Sequence, residues 1–281
     1  MLETASPVVR DVVRAAAAQL AGTGSDTPRL DAELLLCEAL GDGWSRARLV
    51  TAARSPLEHA TLARLENLLA RRQAREPMAY ILGRKDFRRI SLAVDRRVLI
   101  PRPETELLVE VGLALPSGAR VADVGTGSGA VALALKDERP DLHVTGIDVS
   151  DAALEVARAN GRRLDLSVGF LRADLLDRGV YDAVLANLPY VADGACDELA
   201  PEIRLYEPGE ALFAGNDGLD VIRRLAGQLG GAGRKSVELA ALEVAPDQAA
   251  AVAGLLRHAG FRSLEALRDL AGHERVVVAR R

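Results

Sequence analysis

The sequence predicts an α/β protein: a mostly parallel, doubly wound sheet preceded by a small helical domain and a linking β-hairpin. Three observations predict it. From residue 119 onward, short apolar runs of strand type alternate with segments of helical periodicity. Residues 1 to about 75 carry only the three- and four-residue spacing of helices. Between these regions Ile90, Leu92 and Val94 alternate with Ser91, Ala93 and Asp95, the two-residue period of a strand. The expected boundaries follow these changes: a helical domain over 1–83, a hairpin over 84–100 and the α/β domain over 101–281.

Composition narrows the class. A chain of 281 residues that is 49% apolar and 27% charged has ample core for one large domain and a small one. The formal net charge of −4 points away from a global nucleic-acid or membrane surface, and aromatics at 3% leave few base-stacking platforms. Cys37 and Cys196 have neither metal-ligand nor disulfide-framework spacing, so reduced thiols and a cytoplasmic location are expected. The N-terminus lacks a charged start before a long apolar core, and no window reaches ~18 uninterrupted apolar residues. Neither a signal peptide nor a membrane span is expected.

Taken in order, Ser6-Pro7 reads as an N-cap with proline at the first helical position. Val8, Val9, Val12, Val13, Ala16 and Leu20 then form one apolar face, ending near Gly22. Asp31 to Leu40 carries a second face through Leu34, Leu35, Leu36 and Leu40. Ser55-Pro56-Leu57-Glu58 reads as a capping box that opens a third helix, which buries Leu62, Leu65, Leu68 and Leu69. The hairpin is expected from the 90–94 alternation, resumed at Val98 and Ile100, and it is rich in arginine. Its stripe of cations reads most simply as a solvated face. Pro101-Arg102-Pro103-Glu104-Thr105-Glu106 is a stiff, charged loop at the start of a helix.

In the α/β domain, strands are expected near Arg120–Val124, His143–Ile147, Ser167–Leu171, Ala183–Ala186, Val237–Val244 and Arg275–Ala279. Helices are expected near Ala130–Lys136, Ala152–Asn160, Leu219–Leu229 and Gln248–Ala259, with Ser150 as an N-cap and Asn160-Gly161 as a stop.

Two motifs carry chemistry. The first is Asp123-Val124-Gly125-Thr126-Gly127-Ser128-Gly129, a strand end followed by a glycine-rich turn and a helix. Glycines there let the backbone turn tightly and let a ligand approach the main chain at a helix N-terminus. Asp148 ends the next strand about twenty residues on, where an acidic side chain accepts from ribose hydroxyls. Strand, turn, helix, strand and acid in this order indicate a nucleoside-containing cofactor. The glycine spacing departs from the dinucleotide pattern, and the extra carboxylate of Asp123 suits a cationic amino group better than a pyrophosphate. S-adenosylmethionine offers an amino acid end, a ribose and an adenine, so Asp123, the turn and Asp148 all find partners. After the third strand, Asp174 is a candidate acceptor for the adenine amino group and Leu175 a candidate apolar wall.

The second motif is Asn187-Leu188-Pro189-Tyr190, directly after the apolar run Ala183–Ala186. Pro189 ends the run abruptly, which places a carboxamide beyond a strand's carboxyl end, where open α/β sheets keep their active sites.

With these stretches together, the chain resembles the PrmC/HemK release-factor glutamine methyltransferases. Glu76-Pro77-Met78-Ala79-Tyr80-Ile81-Leu82-Gly83 looks like that family's segment leaving the N-terminal domain. Val98 to Glu106 is close to its signature loop, and Tyr206-Glu207-Pro208, Ala211-Leu212 and Asn216-Asp217-Gly218-Leu219 resemble its helix entry after the Asn motif. The resemblance implies a class I S-adenosylmethionine-dependent methyltransferase domain that methylates the side-chain nitrogen of the glutamine in the Gly-Gly-Gln motif of class 1 peptide-chain release factors. It further implies that Asn187 and the main-chain carbonyl of Leu188 take the two N–H groups of that glutamine, with Tyr190 as an aromatic wall. No stable nucleic-acid partner and no membrane are expected.

One position departs from the family: Leu188 stands where Pro is usual. Asn-Leu-Pro-Tyr also resembles the motif of rRNA adenine dimethylases. An adenine amino-group methyltransferase acting on RNA or DNA is therefore the rival enzyme. A non-catalytic cofactor-binding module is the rival from another class.

Overall fold

The computed structural model describes residues 6–231 and 237–281, so the first five residues of the expected helical stretch lie outside it. The chain divides into two compact units, one running through Gly83 and taking in Pro201–Tyr206, the other comprising Arg84–Ala200 and Glu207–Arg281.

The first unit is helical, with Val9–Ala21, Pro28–Leu40, Arg46–Thr51, His59–Gln73 and Met78–Leu82 as its helices. Leu20, Leu35 and Leu36 are fully buried at its centre, among Ala16, Leu49, Leu65 and Leu69. Two expected caps do not form. Val9–Ala21 starts after Val8 and His59–Gln73 after Glu58, neither with a side-chain cap. Instead the Val8 and Pro56 stretches pair as an isolated antiparallel bridge, with Val9 N–H donating to the Ser55 carbonyl. This bridge engages the backbone that a helix start at Pro7 or Pro56 would have used.

A helix from the distant sequence, Pro201–Tyr206, belongs to this unit. Its Glu202 accepts from Arg72 at 2.9 Å and Arg75 at 2.7 Å, and the Tyr206 hydroxyl donates to the Ala74 carbonyl at 2.7 Å. Arg72 is itself buried and also bonds Asp31 at 2.8 Å. Six residues make a helix too short to persist alone, so these bonds are what hold it.

The second unit begins with a hairpin of β1 (Arg84–Phe87) and β2 (Ile90–Ala93), antiparallel with Phe87 facing Ile90. The hairpin falls inside the expected span of 84–100, but residues 98–100, expected to resume the alternation, form no strand. The turn lies at Arg88, which adopts φ +49°, and Phe87 and Leu92 supply the buried face. The signal was weak because Arg84-Lys85-Asp86 has no apolar alternation. Among the described residues the main sheet has seven strands: β3 (Arg120–Val124), β4 (His143–Asp148), β5 (Gly169–Arg172), β6 (Ala183–Ala186), β7 (Leu239–Glu243), β8 (Ser263–Arg268) and β9 (Glu274–Arg280). Their order is β5-β4-β3-β6-β7-β9-β8, parallel from β5 through β7, with β9 antiparallel to both its neighbours. This is the mostly parallel doubly wound sheet that the sequence predicts.

Strand β8 was not foreseen. It is an edge strand with mostly exposed side chains, so burial imposes little pattern on its sequence. The expected stop at Asn160 is also corrected, because the helix Asp151–Leu164 runs on to Asp165 in the left-handed region. Asn160 is fully buried and brackets two segments, exchanging bonds with Ala93 N–H and C=O and donating to the Ser128 carbonyl. Ser150 caps that helix as expected, accepting from Ala153 N–H at 3.4 Å. No helix among the described residues is long and apolar enough to cross a membrane.

Candidate active site

The chain winds outward from β3 through β4 to β5, then crosses to β6 on the other side of β3. The order reverses between β3 and β6, and the crevice beyond their carboxyl ends is where such sheets bind ligands. Val124 pairs with Ala186, so the glycine turn and the Asn motif leave the sheet side by side. A cavity of about 330 Å³ opens there.

Its lining includes Asp123, Gly125, Thr126, Gly127, Ser128, Asp148, Asp174 and Leu175 from the first motif and Asn187, Leu188 and Pro189 from the second. Gly129 and Tyr190 do not line it. Gly129 is the N-cap of the helix Ala130–Glu138 at φ +83°. Tyr190 turns its hydroxyl to Glu243 Oε1 at 3.3 Å.

The glycine turn is held from below. Gly125 and Thr126 N–H both donate to the Ile147 carbonyl of β4, at 2.8 and 3.0 Å. Gly125 has φ +75°, and a Cβ there would lie 2.9 Å from the Asn187 carbonyl oxygen and 3.1 Å from Leu188 Cδ2. Only glycine permits both the dihedral and that approach. The closeness also explains Leu188: its side chain is buried against the turn and belongs to the core of the sheet.

Asp123 is 2% exposed. Its Oδ2 accepts from Thr126 Oγ1 at 2.6 Å and Ala132 N–H at 3.1 Å, while none of the described hydrogen bonds uses Oδ1. Burial pushes its pKa up to about 7, against the pull of these two bonds, and Asp148 nearby adds a small upward push. Asp148 accepts from Gly127 N–H at 2.9 Å and Ser150 N–H at 3.0 Å. Burial raises its pKa too, more than its backbone bonds lower it. Asp174 is exposed and ion-paired with Arg224. Leu175 stands at φ +67°, a strained dihedral for a branched side chain, at the cavity wall.

The Asn motif is fixed on three sides. Asn187 Nδ2 donates to Thr105 Oγ1 at 3.1 Å. The Tyr190 carbonyl accepts from Gln248 Nε2 at 2.9 Å, and Val191 is bracketed by the Leu212 carbonyl and Ala214 N–H. The Pro101 loop is pinned by Glu207, which accepts from Ile100 N–H at 3.1 Å and Arg102 Nη2 at 2.5 Å. Of the expected cationic stripe, Arg88, Arg97 and Arg102 are answered by Glu138, Asp95 and Glu207.

Three residues of this site, Thr105, Glu207 and Glu243, carry no role in the sequence reading. Glu243 had a visible signal: it is a lone carboxylate inside the apolar run Leu239–Val244. Glu207 and Thr105 gave none beyond their place in stretches that resemble the family's loops.

Residues 11–83 match the family described as the PrmC N-terminal domain, and residues 103–215 match the methyltransferase small domain. The chain is 40% identical to a release factor glutamine methyltransferase of Caulobacter vibrioides, over 94% of this chain and 93% of that protein. It is 39% identical to a protein of the same name from Vibrio cholerae, over 97% and 96% of the two chains. Its fold is similar to that of a methyltransferase from Pyrococcus furiosus, with a TM-score of 0.50 at 15% identity over 67% of this chain and 87% of that one.

Proposed function

We propose that this chain, which belongs to the release factor glutamine methyltransferase family, transfers a methyl group from S-adenosylmethionine to the side-chain nitrogen of the Gly-Gly-Gln glutamine of class 1 release factors. The observation that carries the site assignment is the contact of the two motifs at the sheet's switch point. There the cavity lined by the glycine turn is also lined by Asn187. A cradle that a Cβ at Gly125 would obstruct, with buried Asp123 and half-buried Asp148 beside it, fits a cofactor that has a cationic amino acid end and a ribose.

When bound, the cofactor supplies an electrophilic methyl group on a sulfonium. The chain's residues do the rest. Asp123 offers Oδ1 to the ammonium, which answers a buried carboxylate that has no cation of its own. Asp148, oriented by Gly127 and Ser150 N–H, accepts from the ribose hydroxyls. Asp174 serves the adenine amino group, at the cost of competing with Arg224, and Leu175 walls the ring. A glutamine amide nitrogen is a poor nucleophile, so transfer depends on holding it in line. Asn187 Oδ1 accepts one of its N–H groups and the Leu188 carbonyl the other, with Pro189 stiffening the turn. Tyr190 supports the motif from behind through Glu243. The cytoplasm is the proposed location, in keeping with two free cysteines.

Purified release factor incubated with methyl-labelled cofactor is expected to carry one label on the peptide that contains Gly-Gly-Gln. Label on RNA with none on the release factor would overturn the assignment.

A further inference from the structure

We infer that Asn160 is a positioning residue for the cofactor: its buried carboxamide fixes the Ser128 peptide of the glycine turn and ties that turn to the end of β2. This rests on the assignment of the turn to S-adenosylmethionine. Asn160 is fully buried on the helix Asp151–Leu164. Its Oδ1 accepts from Ala93 N–H at 2.8 Å and from Arg163 Nη2 at 3.2 Å. Its Nδ2 donates to the Ala93 and Ser128 carbonyls, each at 3.0 Å. A carboxamide has two donor hydrogens and two acceptor lone pairs, so this one is used to capacity. Stopping a helix, the local role of an Asn-Gly pair, requires none of these bonds, and the helix runs on to Leu164.

Ser128 is where the glycine turn most needs an external hold. It stands between Gly127 at φ +54° and Gly129 at φ +83°, residues with little dihedral preference of their own. The bonds around it orient both acids of the site: Gly127 N–H donates to Asp148 Oδ2 at 2.9 Å, and Thr126 Oγ1 to Asp123 Oδ2 at 2.6 Å. Gly129 N–H closes the turn onto the Thr126 carbonyl at 2.8 Å. Gly129 N–H and the Ser128 carbonyl belong to one peptide, so the bond from Asn160 fixes the plane on which that closure depends. Ser128 itself lines the cavity.

The same carboxamide reaches a second stretch of the lining. Ala93 ends β2, and Asn160 pairs both its N–H and its C=O as a neighbouring strand would. From there the chain leads into Arg97, Val98 and Leu99, which line the same cavity. Without Asn160 the Ser128 and Ala93 carbonyls lose the partner that answers both. Arg163 is a different case. It bonds Asn160 Oδ1 and the Ser91 carbonyl, and it does not line the cavity.

The test is calorimetry of S-adenosylmethionine binding to the full chain, with the folded fraction of each variant checked by circular dichroism. Asn160→Leu has nearly the same shape and none of the bonds, and its Kd is expected to rise about 10- to 30-fold, the scale of lost preorganisation. At saturating cofactor, kcat and the KM for release factor should stay within about threefold of wild type. Amide exchange should quicken at Gly129 more than along the helix Asp151–Leu164. A merely structural role would lower stability and quicken the helix while leaving affinity unchanged. Arg163→Met, which keeps the Ser128 bond, is expected to bind the cofactor within about threefold of wild type. A wild-type Kd in folded Asn160→Leu would overturn the inference, as would an equal loss in Arg163→Met. If Asn160→Leu does not fold, Asn160→Asp decides: its carboxylate keeps the Ala93 N–H and Arg163 bonds but cannot donate to Ser128, so an unchanged Kd overturns the inference equally. Wild type separates the two levels. If it binds no S-adenosylmethionine, the cofactor assignment fails; if it binds and Asn160→Leu binds as tightly, only the Asn160 inference fails.

Discussion

Two sets of buried carboxylates in this molecule have opposite surroundings. In the helical unit, Asp31 is 3% exposed and bonded by Arg72, which also reaches Glu202. In the sheet unit, Asp123 and Glu243 are as deeply buried, yet neither has an ion pair among the described residues, and burial pushes each to about 7. An ion-paired acid of the first kind holds structure together. An unpaired acid is costly to bury, and it persists where an incoming group is to meet it. Glu207 shows that depth alone does not separate the sets: it is buried beside the site but answered by Arg102, and it pins a loop.

Replacing Arg72 by Met attacks the paired set and should have the largest effect. With Asp31 stripped of its cation and Glu202 left to Arg75, stability should fall by about 3–5 kcal/mol, read from denaturant midpoints. A loss below about 1 kcal/mol would show that the buried Arg72–Asp31 pair does not hold the helical unit together.

Asp123→Asn should act in the opposite sense. Asparagine can accept the same two bonds without a charge, so the cofactor-free protein should be stabilised by up to about 4 kcal/mol, from the rise of 3.8 to about 7. The sign follows from protonation. A pKa raised by folding means the native wild type holds its proton longer than the unfolded chain, and its stability declines as pH rises from about 4 to about 7. The variant's advantage should therefore widen from pH 5 to 7 and level off above. Its affinity for S-adenosylmethionine should fall at least about tenfold, since the ammonium loses its counter-ion. A variant that is both less stable and unimpaired in binding would erase the contrast.

Gly125→Ala tests the neighbouring backbone. The left-handed dihedral alone should cost about 1–2 kcal/mol, and the Cβ pressed on the Asn187 carbonyl should lower kcat more than cofactor affinity. The smallest effect is a fraction of a proton. Cofactor binding at pH 7 should release it from Asp123, detectable as buffer-dependent enthalpy in calorimetry and absent from Asp123→Asn.

Much of this was legible along the chain. The glycine turn, Asp148 and the Asn187 motif are each marked by local needs within a few residues: a tight turn, a strand end, a proline stop. The hairpin register, edge strand β8 and two helix starts were not, because no local burial pattern marks them or because a distant segment took their backbone bonds. Asn160 read as a helix stop because an Asn-Gly pair usually is one, yet its side chain is used by Ala93 and Ser128.

By itself the sequence determined the class of the sheet, the glycine turn and the carboxamide that follows β6, since those rest on periodicity and turn chemistry within a few residues. Tertiary structure alone decided which groups hold the Asn187–Tyr190 motif. Thr105 is 82 residues from Asn187, and Glu243 is 53 from Tyr190. Only the crossing of β6 between β3 and β7 brings them together. Strand order is set by how the whole sheet buries its faces, and nothing in a single residue's neighbourhood announces it.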